Sequence, residues 1–175
     1  CCITYNHEKF IRDAIEGFLI QKTNFPIEII IHDDASTDGT VAIIREYADR
    51  HPDLVTAIFQ TENQFSKKRG GICARFVFPR ARGKYIALCE GDDYWTDPLK
   101  LQKQVNFLEA NPEYSACAHE LTIKFDEIYN QPDGICSAIK IKYTKQKSFL
   151  HAYALEDIAK GVLFQTPSVV FRNCL

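Results

Sequence analysis

Two groups of acidic side chains follow runs of apolar β-formers. Ile29-Ile30-Ile31 leads into His32-Asp33-Asp34, and Tyr85-Ile86-Ala87-Leu88-Cys89 leads into Glu90-Gly91-Asp92-Asp93. A strand that runs into carboxylates presents them at its carboxyl end, the edge of an open α/β sheet where ligands bind. Neighbouring carboxylates repel, so such a cluster needs a counter-charge, most simply a hard divalent cation with oxygen ligands. A cation held there suits a phosphate-bearing ligand. The plainer reading of Asp33-Asp34 is a turn with helix-capping carboxylates, but Thr37 and Asp38 already offer caps. An acidic loop at a strand end does not account for the crowding of Glu90, Asp92 and Asp93. His32, inside an apolar strand, reads as a packed residue, and His7, His51, His119 and His151 belong to no constellation.

The elements that must position these groups alternate. A short strand ends at Tyr5-Asn6, and apolar residues at Phe10, Ile11, Ala14, Ile15, Phe18 and Leu19 mark one face of a helix. Asn24-Phe25-Pro26 stops it, and Ile27 to Ile31 reads as a fully buried strand. After a polar turn from Asp33 to Gly39, Val41, Ile44, Tyr47 and Ala48 form the buried side of a second helix, and Thr56 to Thr61 a third strand. The stretch from Glu62 to Gly83 carries a short helix at most, around Ile72 to Phe78. Lys84 to Cys89 is the next strand, and Asp97-Pro98 opens a helix whose apolar stripe is Leu101, Val105 and Leu108. Tyr114 to Leu121 reads as a strand, Lys147 to Lys160 as a helix, and Ser168 to Phe171 as a final strand. This order predicts an α/β sandwich with a mainly parallel central sheet flanked by helices.

The 175 residues suit a single domain with a real core. Lys and Arg (21) nearly balance Asp and Glu (23), for a formal charge of −2, which argues against a nucleic-acid partner. The seven cysteines form no Cys-x-x-Cys pair, a pattern of reduced thiols in a cytoplasmic protein rather than a disulfide frame or zinc site. Neither a membrane-spanning run nor a signal-peptide pattern is present. The chain starts on what reads as half a strand and stops without a terminating signal, so it reads as truncated at both ends. Peripheral association with the inner face of a membrane through segments outside it stays open, as does the oligomeric state.

Ile3-Thr4-Tyr5-Asn6, then Asp33-Asp34-Ala35-Ser36-Thr37-Asp38-Gly39-Thr40, then Glu90-Gly91-Asp92-Asp93-Tyr94-Trp95 resembles the family 2 glycosyltransferases of the Rossmann-like GT-A fold, in the right order and at suitable separations. The resemblance covers about the first two-thirds of the chain and is nearest to bacterial members in which Asp-Pro-Leu-Lys opens the next helix. It implies a sugar-nucleotide donor, with UDP as the nucleotide, and a saccharide or lipid-linked acceptor. Residues 1–121 would form the donor-binding part and 122–175 the start of the acceptor side. Thr4, Tyr5, Asn6, Asp33, Asp34, Arg75, Glu90 and Gly91 fall on donor-binding positions, with Tyr5 flanking the base and Asp34 accepting from the uracil imide. Asp92 and Asp93 fall on the Mn²⁺ or Mg²⁺ site, while Glu90 takes the first acidic place, where Asp is the commoner family choice. Arg75 would offset the charge of Asp34 or of the diphosphate. Tyr94 and Trp95 suit either the acceptor side or the core. The family's transfer is inverting, and its general base follows a strand like Gln165 to Arg172, which places it beyond Leu175. Glu156-Asp157 precedes that strand and reads as a charged helix face.

Two other classes compete. A receiver-type signalling domain also gathers acids around Mg²⁺, but needs a lone Asp ending its third strand and a Lys ending its fifth. A non-catalytic module would keep the nucleotide-sugar site without a base.

Overall fold

Ile29–Asp33 (β2) is buried along its whole length, because strands lie on both of its edges. Cys2–Thr4 (β1) pairs with it in parallel on one side and Val55–Phe59 (β3) on the other. Cys89–Glu90 (β5) completes this sheet beside β1, giving the order β3-β2-β1-β5 with every pairing parallel. The computed structural model describes residues 1–119, the strand at 151–153 and residues 166–173.

Ile11–Leu19 (α1) and Thr40–Arg50 (α2) bury most of the faces their spacing predicts, with Ile11, Ala14, Ile15 and Phe18 on the first and Ile44 and Tyr47 on the second. Phe10, expected on the first face, is exposed because the helix begins only after it. These side chains share one core with Ile29, Ile31, Val55 and Trp95. At Gly17 a Cβ would lie 2.8 Å from the backbone of Trp95, so only glycine lets α1 approach that closely. Gln64–Lys67 (α3) and a π-helical turn at Cys73–Val77 fill the connection after β3, the latter within the segment expected to hold a short helix.

The stretch expected as one strand from Lys84 to Cys89 divides. Tyr85–Ala87 (β4) belongs to a second, antiparallel sheet with Ala116–Ala118 (β6), His151–Tyr153 (β7) and Val170–Arg172 (β8), in the order β4-β8-β6-β7. One strand thus changes neighbours at Leu88, whose N–H reaches Val169 O at 3.3 Å while β5 turns to β1. The strand at His151–Tyr153 lies inside 147–160, where a helix was expected. The reason is its ladder with β6, a pairing that local periodicity does not carry. The rest of that segment, Leu121 and Glu156-Asp157 lie outside the described residues.

Lys100–Ala110 (α4) follows Asp97-Pro98, but its fully buried positions are Lys100, Gln104 and Leu108. Leu101 and Val105, expected at the centre of the stripe, stand half-buried on its flank. The helix is rotated because Gln104 is drawn inward by carbonyls it can satisfy, those of Cys117 (3.1 Å) and Ser168 (2.8 Å). Among the described residues no helix is long and apolar enough to cross a membrane.

Candidate active site

Parallel pairing brings three strand ends to one edge. Thr4 lies opposite Asp33, and Ile3 lies between His32 and Glu90. Just past these ends, Ile3, Thr4, Tyr5, His7, Asp34, Phe65, Ile72 and Glu90 line a pocket of about 140 Å³. A larger cavity of about 770 Å³ lies away from this edge, among Ile29, Ile30, Tyr85, Ile86, Leu101 and Val105. The chemistry gathers at the smaller one.

The two members of the strand-2 acidic pair do different work. Asp33 is buried and turned back on its own loop, with Oδ2 accepting from Ser36 N (3.0 Å) and Oδ1 from Ser36 Oγ (2.5 Å). This self-closing turn shapes the loop. Asp34 accepts from the backbone N–H groups of Gln64 (2.8 Å) and Phe65 (3.0 Å), which ties the start of α3 to the pocket. An ionised carboxylate offers about four lone-pair positions, so Asp34 keeps acceptor capacity for a ligand.

The rest of the motif is a brace between two loops. Asn6 takes a left-handed conformation (φ 55°), which Asn tolerates better than most residues. Its side-chain oxygen accepts from Thr37 N at 2.8 Å, and its own N–H donates to Ser36 Oγ at 2.9 Å. His7 N donates to Thr40 Oγ1 (2.9 Å), Glu8 N to Asp38 Oδ2 (3.1 Å), and Gly39 N to Glu8 Oε2 (2.6 Å). Asp38 also caps the entry to α2 by accepting from Thr40 N at 3.0 Å. Asn6 therefore stands in the loop brace, while Tyr5 leaves much of its ring exposed at the pocket mouth.

At the end of β5, ligand oxygens of Glu90, Asp92 and Asp93 all lie within 4.8 Å of one another. Burial, then the charges of Asp92 and Glu90, push the Asp93 carboxyl up to about 6. A set of carboxylate oxygens this close matches the donor preference of Mg²⁺ or Mn²⁺. Gly91 is required between them, since a Cβ there would lie 2.4 Å from Thr4 Oγ1 and 2.9 Å from His7 Nδ1.

Arg75 turns its guanidinium to the backbone carbonyls of Gln64 (3.5 Å), Lys68 (3.2 Å) and Gly70 (3.4 Å). It pins the loop that carries the partners of Asp34. His32 is buried, stacks on Phe76 at 5.1 Å and has its pKa lowered by burial, as a packed residue should. Trp95 belongs to the core, against Phe18 at 4.9 Å, whereas Tyr94 is exposed.

His7 is the site residue that sequence reasoning passed over. It lines the pocket, its Nε2 lies 3.9 Å from Asp92 Oδ2, and its Nδ1 is buried with no hydrogen-bond partner. Thr4 Oγ1 is orphaned in the same wall. Buried polar atoms of this kind favour a polar ligand that meets them. The available signal was position, since His7 follows Tyr5-Asn6 directly past the end of β1.

Residues 1–159 match the family model described as glycosyl transferase family 2. The chain belongs to glycosyl transferase family 2. An uncharacterized protein of Mycobacterium tuberculosis is 50% identical over 173 residues, covering 98% of this chain and 45% of the relative. The Escherichia coli UDP-Glc:alpha-D-GlcNAc-diphosphoundecaprenol beta-1,3-glucosyltransferase WfaP is 33% identical over 144 residues, 79% of this chain and 53% of its own. The chain thus spans about half the length of the curated relatives it matches. Among solved structures, the mannosyltransferase PcManGT from Pyrobaculum calidifontis, in complex with GDP-Man and Mn²⁺, superposes with a TM-score of 0.54 at 29% identity, over 66% of this chain and 33% of that one. The fold of this glycosyltransferase domain is GT-A, and the receiver reading falls with that assignment.

Proposed function

We propose that this protein transfers a sugar from a UDP-sugar to a saccharide or lipid-linked acceptor, with inversion at the anomeric carbon and with the help of Mn²⁺ or Mg²⁺. The observation that carries the reading is the joining of two chemistries at one sheet edge. Asp34 borders a pocket with orphaned polar groups, and that pocket shares Glu90 with the carboxylate cluster. Asp34 takes the imide N–H of uracil, Tyr5 lies against the ring, and Thr4 and His7 supply polar contacts beyond it. Asp92 and Asp93 hold the cation, with Glu90 beside them. When bound, the cation neutralises the charge that develops on the departing diphosphate.

Residues 1–121 form the donor half in this reading, and the general base is assigned outside the described residues. WfaP, whose name specifies a UDP-Glc donor and a diphosphoundecaprenol-linked acceptor, supports the donor and acceptor classes. The Mn²⁺ complex of PcManGT supports the cation. Cys1, Cys2, Cys73, Cys89 and Cys117 are all free thiols, which favours the cytoplasmic side of the membrane.

Asp34→Asn tests the base assignment, because it keeps the volume and removes the charge. Loss of one charged hydrogen bond corresponds to a weakening on the order of ten- to a hundredfold. UDP binding to wild type and variant, with GDP as competitor, is the measurement. Equal UDP affinities, or a wild type that prefers GDP, would overturn the assignment.

A further inference from the structure

We infer that Thr166 is a positioning residue that holds Glu90 in the acidic cluster, on a turn that Trp95 and Gln104 fix in place. The inference rests on the metal-assisted reading above.

Thr166–Ser168 is a single 3-10 turn leading into β8, and three successive residues of it are each gripped by a side chain from the segment after β4. Thr166 Oγ1 donates to Glu90 Oε1 at 3.2 Å. Pro167 O accepts from Trp95 Nε1 at 2.9 Å, and Ser168 O accepts from Gln104 Nε2 at 2.8 Å. Gln104 is 1% exposed, and its amide has one workable orientation. The carbonyls of Ser168 and Cys117 can only accept, so they take Nε2 and leave Oε1 toward Lys100 Nζ (2.8 Å). Lys100 Nζ in turn sits 4.2 Å from the Trp95 ring centroid, which closes the network.

Buried polar groups of this kind are costly unless every partner is present, and when satisfied they specify one geometry. The geometry specified here ends on a hydroxyl that meets the carboxylate at the first acidic position. A carboxylate with one oxygen already held needs less ordering when a cation arrives. In this inference Glu90 is a third oxygen ligand, since its ligand oxygen and those of Asp92 and Asp93 lie within 4.8 Å of one another. Outer partners of ligating carboxylates typically contribute ten- to a hundredfold in metal affinity.

The test is titration of the intact protein with Mn²⁺ alone, following free Mn²⁺ by electron paramagnetic resonance. Thr166→Val keeps the shape and loses the hydroxyl, whereas Thr166→Ser keeps the hydroxyl and loses the methyl. Positioning predicts that Thr166→Val weakens Mn²⁺ about ten- to a hundredfold, while Thr166→Ser binds like wild type. Trp95→Phe, which frees Pro167 O but keeps a ring, weakens it in the same direction. A role in packing alone predicts the reverse order, with Val harmless and Ser the worse of the two, and that result overturns the inference. Should Thr166→Val fail to fold by circular dichroism, Thr166→Ala carries the same prediction. A wild type that binds no Mn²⁺ overturns the metal reading itself, and Thr166 with it. A wild type that binds Mn²⁺ as tightly as Thr166→Val overturns only the inference.

Discussion

Asp93 sets the pH behaviour of the acidic edge. Its carboxyl, raised to about 6 by burial and by Asp92 and Glu90, holds a proton below that pH, which a cation bound there would have to displace. Mn²⁺ affinity is therefore expected to be flat above about pH 7 and to fall toward tenfold per pH unit below about pH 6. Calorimetric titrations with Mn²⁺ at pH 5, 6 and 7.5 check this, and a pH-independent affinity would remove Asp93 from the ligand set. Without metal, a raised carboxylate works the other way. Its ionisation costs stability as pH rises through the folded value, a cost that cation binding offsets. At this scale much was legible. Asp34, Glu90, Asp92 and Asp93 stand at strand ends as apolar runs followed by carboxylates imply. His7 and Thr166 were not legible, because their partners are 85 and 76 positions away in the chain and no local pattern records the contact. The carbonyl partners of Arg75 were not legible either, since backbone carbonyls leave no trace in residue type.

At the scale of elements, α4 is the instructive case. Periodicity put Leu101, Val105 and Leu108 inward, and only Leu108 is fully buried. The burial of Lys100 and Gln104 does not show in residue type, because polarity tells nothing of a carbonyl waiting in the core. Burial depresses the Lys100 ammonium to about 7. An unfolded lysine titrates near 10.4, so between these pH values the unfolded chain binds one more proton, and stability rises with pH by up to about 1.4 kcal/mol per unit. Burial raises the thiols of Cys2, Cys89 and Cys117, which erode stability once the pH passes the ordinary thiol value. The lysine effect is therefore read as a difference between variants. Lys100→Met should gain most over wild type at pH 7 and below, and its advantage should shrink between pH 7 and 9 in urea unfolding. A pH-independent difference would show that Lys100 stays charged in the fold.

For the whole molecule, the parallel sheet was readable. In the antiparallel one, the strands at Tyr85–Ala87, Ala116–Ala118 and Val170–Arg172 fall on or across expected strands, but their pairing was not readable. β2 is a continuous apolar run flanked by helices of clear periodicity, which is how a central parallel strand looks in sequence. The second sheet is built from strands of three residues, too short for any alternation, and β4 meets β8 across more than 80 positions. Its effect is to carry the Thr166–Ser168 turn against the carboxyl edge of the first sheet, at the residue that the pocket and the acidic cluster share. In the proposed function this edge is a single nucleotide–cation site. Isothermal titration of the folded protein with UDP, with and without Mn²⁺, tests it most directly when wild type and Asp92→Ala are compared. Mn²⁺ is expected to strengthen UDP binding to wild type, and Asp92→Ala to lose that gain while keeping its fold. Metal-independent UDP binding by wild type, or an undiminished Mn²⁺ effect in Asp92→Ala, would contradict it.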